Sequence, residues 1–196
     1  MQVCVLMGSP KREGHTMGVL RPFLEEVQQA GHETEVFWLY EKKILPCLAC
    51  RVCQDVPDRF GCVQQDDMAD LAEHILAADC MVLATPIYAW FCTAPMKAML
   101  DRLVYGMNKY YGKKRGNALW RDKPCALFLT GGYPEEKSAV LFERGMEAYC
   151  RHSKLSYQGH FFARDEGYHT EFMTEEKEQQ ARAFARTLLT RLSQEK

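Results

Sequence analysis

Four cysteines fall within sixteen residues in the stretch CLACRVCQDVPDRFGC, at Cys47, Cys50, Cys53 and Cys62. Thiols at this density can hold an iron–sulfur cluster, grip a zinc ion, pair as disulfides or stay free. Five further cysteines make an odd total of nine. Of these, Cys4, Cys80 and Cys125 sit in apolar runs and read as small core hydrophobes. No basic leader with a long apolar segment opens the chain, and no apolar stretch reaches bilayer length. A cytoplasmic, reducing location is therefore expected, and disulfides are the weakest of the four readings.

The elements that must position these thiols are legible as an alternation. Three short apolar runs, QVCVLM (2–7), CMVLAT (80–85) and CALFLT (125–130), lack strict polar alternation and end at Gly or Pro, as strands buried on both faces do. HETEVFWL (32–39) and LSYQGHFFA (155–163) alternate better and supply two more strands. Helical apolar spacing fills 17–29, 67–78, 94–107, 135–152 and 174–192. Asp66 and Asp67 are read as starting the second of these helices, where carboxylates suit the helix dipole. Strands and helices in this order predict one doubly wound α/β domain over 1–196 with a parallel sheet. It carries a cysteine-rich insertion at 46–63 and a loop insertion at 108–123. A formal net charge of −1 argues against nucleic acid or anionic membrane as partner, and the basic run Lys113–Arg115 reads as a solvated loop.

In such sheets ligands bind outside the carboxyl ends of the strands, so the strand-end loops carry the chemistry. GSPKREGHT (8–16) brings hydroxyls, backbone N–H groups and a cation to a helix N-terminus, which suits a single phosphate. It is neither a Walker loop nor the dinucleotide G-x-G-x-x-G, and a plain capped turn is the bland alternative. TPIYAWFCTAPMKAMLDR (85–102) crowds Ile87, Tyr88, Trp90 and Phe91 into the crevice, a wall fit for a flat heteroaromatic ligand. In TGGYPEE (130–136), two glycines permit close backbone approach to a planar ring. His32, His74, His152, His160 and His169 show no metal-ligand spacing.

GSPKREGHT, P-I-Y followed by P-M-K-A-M-L-D-R, and TGG, in that order, resemble the flavodoxin-like NAD(P)H-dependent FMN reductase family. The resemblance implies a five-stranded parallel sheet of order 2-1-3-4-5 with helices on both faces, and FMN at the strand ends. By it, Ser9, Lys11, His15, Thr16 and Met17 would hold the phosphate. Pro86, Ile87, Tyr88 and Trp90 would contact the isoalloxazine or ribityl chain, and Thr130, Gly131 and Gly132 would meet the ring. Trp90 and Phe91 are bulkier than the glycine-rich stretch usual there and would narrow access to the flavin.

A subgroup, the iron–sulfur flavoproteins, carries a compact C-x2-C-x2-C with a fourth cysteine shortly after it. Cys47, Cys50 and Cys53 match that spacing, with Cys62 as fourth ligand of a [4Fe-4S] cluster. One short turning loop can aim three thiolates at three iron corners. Spare thiols are weighed level with the cluster. A Cys4 zinc site, which favours two separated knuckles, and C-x-x-C disulfide exchange stand behind.

The resemblance implies an oxidoreductase taking electrons from NADH or NADPH through FMN to a quinone, flavin, metal or protein acceptor. The alternatives are an electron carrier using FMN plus a cluster, and a zinc-stabilised interaction domain without flavin. It also implies a homodimer or homotetramer. Tyr110, Tyr111 and Trp120 in the loop insertion are the expected contact.

Overall fold

The computed structural model describes residues 1–167 and 169–194. The apolar runs become five parallel strands: β1 (Gln2–Met7), β2 (Glu33–Trp38), β3 (Cys80–Pro86), β4 (Pro124–Gly131) and β5 (Ser156–Arg164). Their order is β2-β1-β3-β4-β5, the one the resemblance implied. Val5 stands opposite Val36 on one side and Val82 on the other, and Val82 opposite Ala126, so one register runs through the four leading strands.

Side chains alternate across the sheet and bury two separate apolar layers. Cys4, Leu6, Met81, Leu83, Leu127 and Leu129 face one layer with α2 (Met68–Ala77), α3 (Ala94–Met107) and α5 (Val140–Ser153). Val3, Val5, Val82, Ala84, Ala126 and Phe128 face the other with α1 (His15–Gln29) and α6 (Glu175–Gln194). This two-sided burial is why the strands read as continuous apolar runs. Cys4, Cys80 and Cys125 are core residues, as expected.

Several boundaries differ from the expected ones. The helix expected over 135–152 is broken at Ala139 into a short α4 (Glu135–Ser138) and α5. Of the loop insertion's aromatics, Trp120 is not available as a contact surface, while Tyr110 and Tyr111 stay partly exposed. Trp120 is 1% exposed, because its indole N–H donates to Asn108 Oδ1 at 3.0 Å and its ring packs edge-on to Tyr149. Tyr110 and Tyr111 fold onto His152. Among the described residues no helix is long and apolar enough to cross a membrane.

Candidate functional site

The exits of β1, β3 and β4 border a solvent-open crevice of about 540 Å³. Gly8 brings the first two exits together. Its N–H donates to Ala84 O at 2.7 Å, and a Cβ there would lie 2.9 Å from Thr93 Oγ1. Beyond it, Ser9 Oγ accepts from the Lys11 N–H at 3.3 Å and turns the chain toward α1. No side chain caps α1 at Gly14, so its first-turn N–H groups are left for a ligand. Thr16 is not the cap. It is the second residue of the helix, buried, with its hydroxyl 2.8 Å from that of Thr130.

Ten of the twelve expected cofactor residues line this crevice: Ser9, Lys11, His15, Thr16, Pro86, Ile87, Tyr88, Thr130, Gly131 and Gly132. The donor set suits an anion at the α1 end and a flat ring at the β4 end. A Cβ at Gly132 would meet only Asp165 O, at 4.0 Å, so the backbone there is open to close approach. Residues after β5 complete the wall, a contribution the motifs did not name. The His15 ring stacks on Phe172 at 4.0 Å and 9°, and its Nδ1 lies 3.0 Å from Asp165 Oδ2. The same strand-end logic applied to RDEGYHT (164–170) would have pointed to Asp165.

Met17 and Trp90 lie outside the crevice lining. Met17 packs toward the layer that α1 shares with α6. Trp90 sits in a two-residue turn closed by reciprocal bonds between Tyr88 and Phe91, at 2.9 and 3.0 Å. Ala89 and Trp90 both take positive φ, 47° and 67°, the pattern of a type I′ turn that normally asks for Asn-Gly. The turn aims Tyr88 into the crevice and sends the Trp90 indole N–H to Lys137 O at 3.0 Å.

The four clustered cysteines line a second, small hollow of about 20 Å³, with Arg102 and Tyr105 of α3 on its wall. Ala49 and Arg51, one between each pair of the C-x2-C-x2-C thiols, have left-handed backbones and turn the loop. The four clustered thiols form no disulfide, and in every trio of their sulfurs at least one pair is more than 4.8 Å apart. Thiolates on one zinc stand ~3.8 Å apart, given Zn–S near 2.3 Å. Thiolates that each serve a different iron of a cubane stand wider. The four sulfurs therefore do not stand as a closed tetrahedral zinc set.

Polar groups buried under the loop fasten it to α3. Arg102 pairs with Asp66, both side chains being almost fully buried. The guanidinium also donates to Leu45 O at 3.3 Å and to Cys62 Sγ at 3.1 Å. Burial alone would raise the Asp66 carboxyl. Its bonds to Arg102 and to the N–H groups of Leu45 and Met68 prevail and hold it below its ordinary value. Asp66 was read only as a helix starter. Gln54 donates to Tyr105 O and Asn108 O and accepts from the Tyr111 N–H. Lys109, 2% exposed, donates to Cys53 O at 2.9 Å and Phe60 O at 3.3 Å. Burial pushes the Cys53 thiol up, and Lys109 partly opposes it. Elsewhere, His160 holds one carboxylate on each ring nitrogen, Glu135 and Glu143, as a satisfied histidine does.

The NADPH-dependent FMN reductase family matches residues 1–143 of the chain. An iron-sulfur flavoprotein of Archaeoglobus fulgidus is 31% identical over 142 residues, 72% of this chain and 60% of that one. One from Methanosarcina thermophila is 31% identical over 132 residues, 67% of this chain and 64% of that one. The chain thus spans about 60% of the length of these curated relatives. The NAD(P)H:quinone oxidoreductase structure from Methanothermobacter marburgensis superposes with a TM-score of 0.74 over 96% of both chains, at 22% identity, a likeness of fold. With the match covering β1 to β4 and the crevice loops that follow β1, β3 and β4, the chain belongs to the NADPH-dependent FMN reductase family.

Proposed function

We propose that the protein is an FMN-dependent oxidoreductase that passes electrons from NADH or NADPH to a second acceptor. The observation that carries this reading is the crevice at the reversal between β1 and β3, where the uncapped N-terminus of α1 meets Ser9, Thr16 and Thr130. When bound there, FMN supplies hydride acceptance and electron release. The chain's own part is positional. The α1 N–H groups and the Ser9 hydroxyl would hold the phosphate, with Lys11 supplying charge. Thr130, Gly131 and Gly132 would border the ring from β4, Pro86, Ile87 and Tyr88 would border it from β3, and the His15–Phe172 stack would close the far wall.

The test is FMN content of the purified protein, followed by anaerobic addition of NADH or NADPH. Prompt bleaching of the flavin band supports the reading, and failure to bind FMN overturns it. Half-exposed Tyr88, Trp90 and Phe91, with Tyr133, crowd one rim. They support a second copy of the chain as the missing side of the site, in a homodimer or homotetramer.

A second reading adds a [4Fe-4S] cluster at Cys47, Cys50, Cys53 and Cys62. It is supported by the shared hollow, by sulfurs that do not close as a zinc set, and by α3, which runs from Thr93, beside Gly8, to Arg102 on the hollow's wall. These two positions lie about 13 Å apart along the helix axis. Iron and acid-labile sulfide in protein prepared without oxygen test it, and zinc alone would overturn it.

A further inference from the structure

The two buried cations under the cysteine hollow are not alike. Arg102 has a carboxylate, Asp66, within its bonding shell. Lys109 has none among the described residues. Its ammonium is held by the carbonyls of Cys53 and Phe60, with the Cys53 thiol and the unbonded carboxylate of Asp58 as the acidic groups that act on it from farther off. A buried ion without a counter-charge costs several kcal/mol, and the fold tolerates it where something supplies the opposite sign. Lys109 therefore sets a buried positive charge with no bonded carboxylate behind Cys53, next to a hollow that Arg102 lines directly.

Four thiolates on a four-iron core leave the whole unit anionic, by about two charges before reduction and about three after it. We propose that Lys109 and Arg102 are the charge-compensating residues of this hollow, Lys109 through its ammonium bonded to Cys53 O and Arg102 through its bond to Cys62 Sγ. The inference rests on the cluster reading above. A fixed positive charge and a hydrogen bond to a ligand sulfur both favour the more negative state. The pair thus makes the cluster easier to reduce, within reach of electrons arriving at the crevice.

The experiment compares anaerobically prepared wild type with Lys109→Met, Lys109→Arg and Arg102→Lys. Iron, sulfide and FMN are assayed in each, and the cluster's midpoint potential is read by paramagnetic resonance during a mediated one-electron titration. Lys109→Met is expected to keep FMN and cluster but shift the oxidised-to-reduced ratio at least tenfold toward oxidised, ~59 mV more negative. Lys109→Arg should return the potential to the wild-type value. Arg102→Lys keeps its charge beside Asp66 but is too short to donate to Cys62, so it should shift the potential in the same direction by less. A loaded Lys109→Met protein with the wild-type potential overturns the proposal. If that variant loses its FMN through misfolding, an unchanged potential in Arg102→Lys overturns it instead. Wild type without iron and sulfide overturns the cluster reading, and this inference with it.

Discussion

Arg102 joins Asp66 to Cys62, pairing with the buried carboxylate at one end and donating to the sulfur across 3.1 Å at the other. A single α3 side chain thus fixes both the end of the cysteine loop and the start of α2. Removing its carboxylate partner would leave the guanidinium buried and uncompensated. Asp66→Asn is expected to cost roughly 3–5 kcal/mol, on the order of 10 °C in Tm for a chain of this length.

The pH dependence of that pair has a defined sign. Asp66 titrates below its unfolded value of about 3.9. Its contribution is therefore complete above that value and is lost as pH falls through the lower folded one. Thermal unfolding from pH 7 down to 3 should show the gap between wild type and Asp66→Asn constant above about pH 5 and closing only at the acid end. A gap that closes near neutrality would assign the effect to another group.

Gly106 gives a prediction specific to the loop. A Cβ there would lie 2.2 Å from the Phe60 ring, which the loop presses against α3. Gly106→Ala must push Phe60 out, and with it the Cys53–Cys62 spacer. Alkylation of Cys53 and Cys62 should accelerate several-fold relative to wild type while FMN content stays unchanged. Equal alkylation rates would mean that Phe60 does not hold the loop down.

These contacts also mark where the sequence stopped being legible. Strands buried on both faces announce themselves as apolar runs, and strand-end loops follow from them, so the parallel sheet and its binding loops could be anticipated, while the strand order and the individual crevice residues came from the family resemblance. Asp66, Gln54, Arg102 and Lys109 could not. They are polar residues whose partners lie 36 to 57 positions away, and local pattern treats them as surface. Trp120 misled for the same reason. An aromatic in a polar loop looks exposed until Asn108, twelve residues earlier, is seen to take its N–H. Trp90 was expected against the flavin because its turn adjoins the crevice, yet positive φ at Ala89 and Trp90 rotates it toward Lys137.

That turn makes a contrast of sign testable. A side chain in the left-handed region costs ~1–2 kcal/mol, partly offset on substitution by the ~0.4–1 kcal/mol greater freedom of an unfolded glycine. Ala89→Gly should therefore raise Tm slightly. Ala89→Val, β-branched at φ 47°, should lower it by more. Opposite signs in paired melting curves are the expected outcome. Parallel shifts would show that the turn is not under conformational strain.

The Thr16–Thr130 pair ties the two ends of the crevice together, since its hydroxyls meet across 2.8 Å with both residues almost fully buried. One hydroxyl can donate to the other while the second donates onward to a ligand in the crevice. Thr16→Val keeps the shape and removes one partner, leaving the Thr130 hydroxyl unsatisfied at ~1–3 kcal/mol. If FMN occupies this crevice, part of that loss falls on the bound state, and about 1.4 kcal/mol is a tenfold weaker Kd. Fluorescence titration of apoprotein should show Thr16→Val binding FMN roughly tenfold more weakly, with Gly106→Ala, which disturbs only the cysteine loop, binding as wild type does. Wild-type affinity in Thr16→Val would place the phosphate away from the α1 terminus. Equal losses in both variants would show that the crevice and the cysteine loop respond as one unit, coupled through α3.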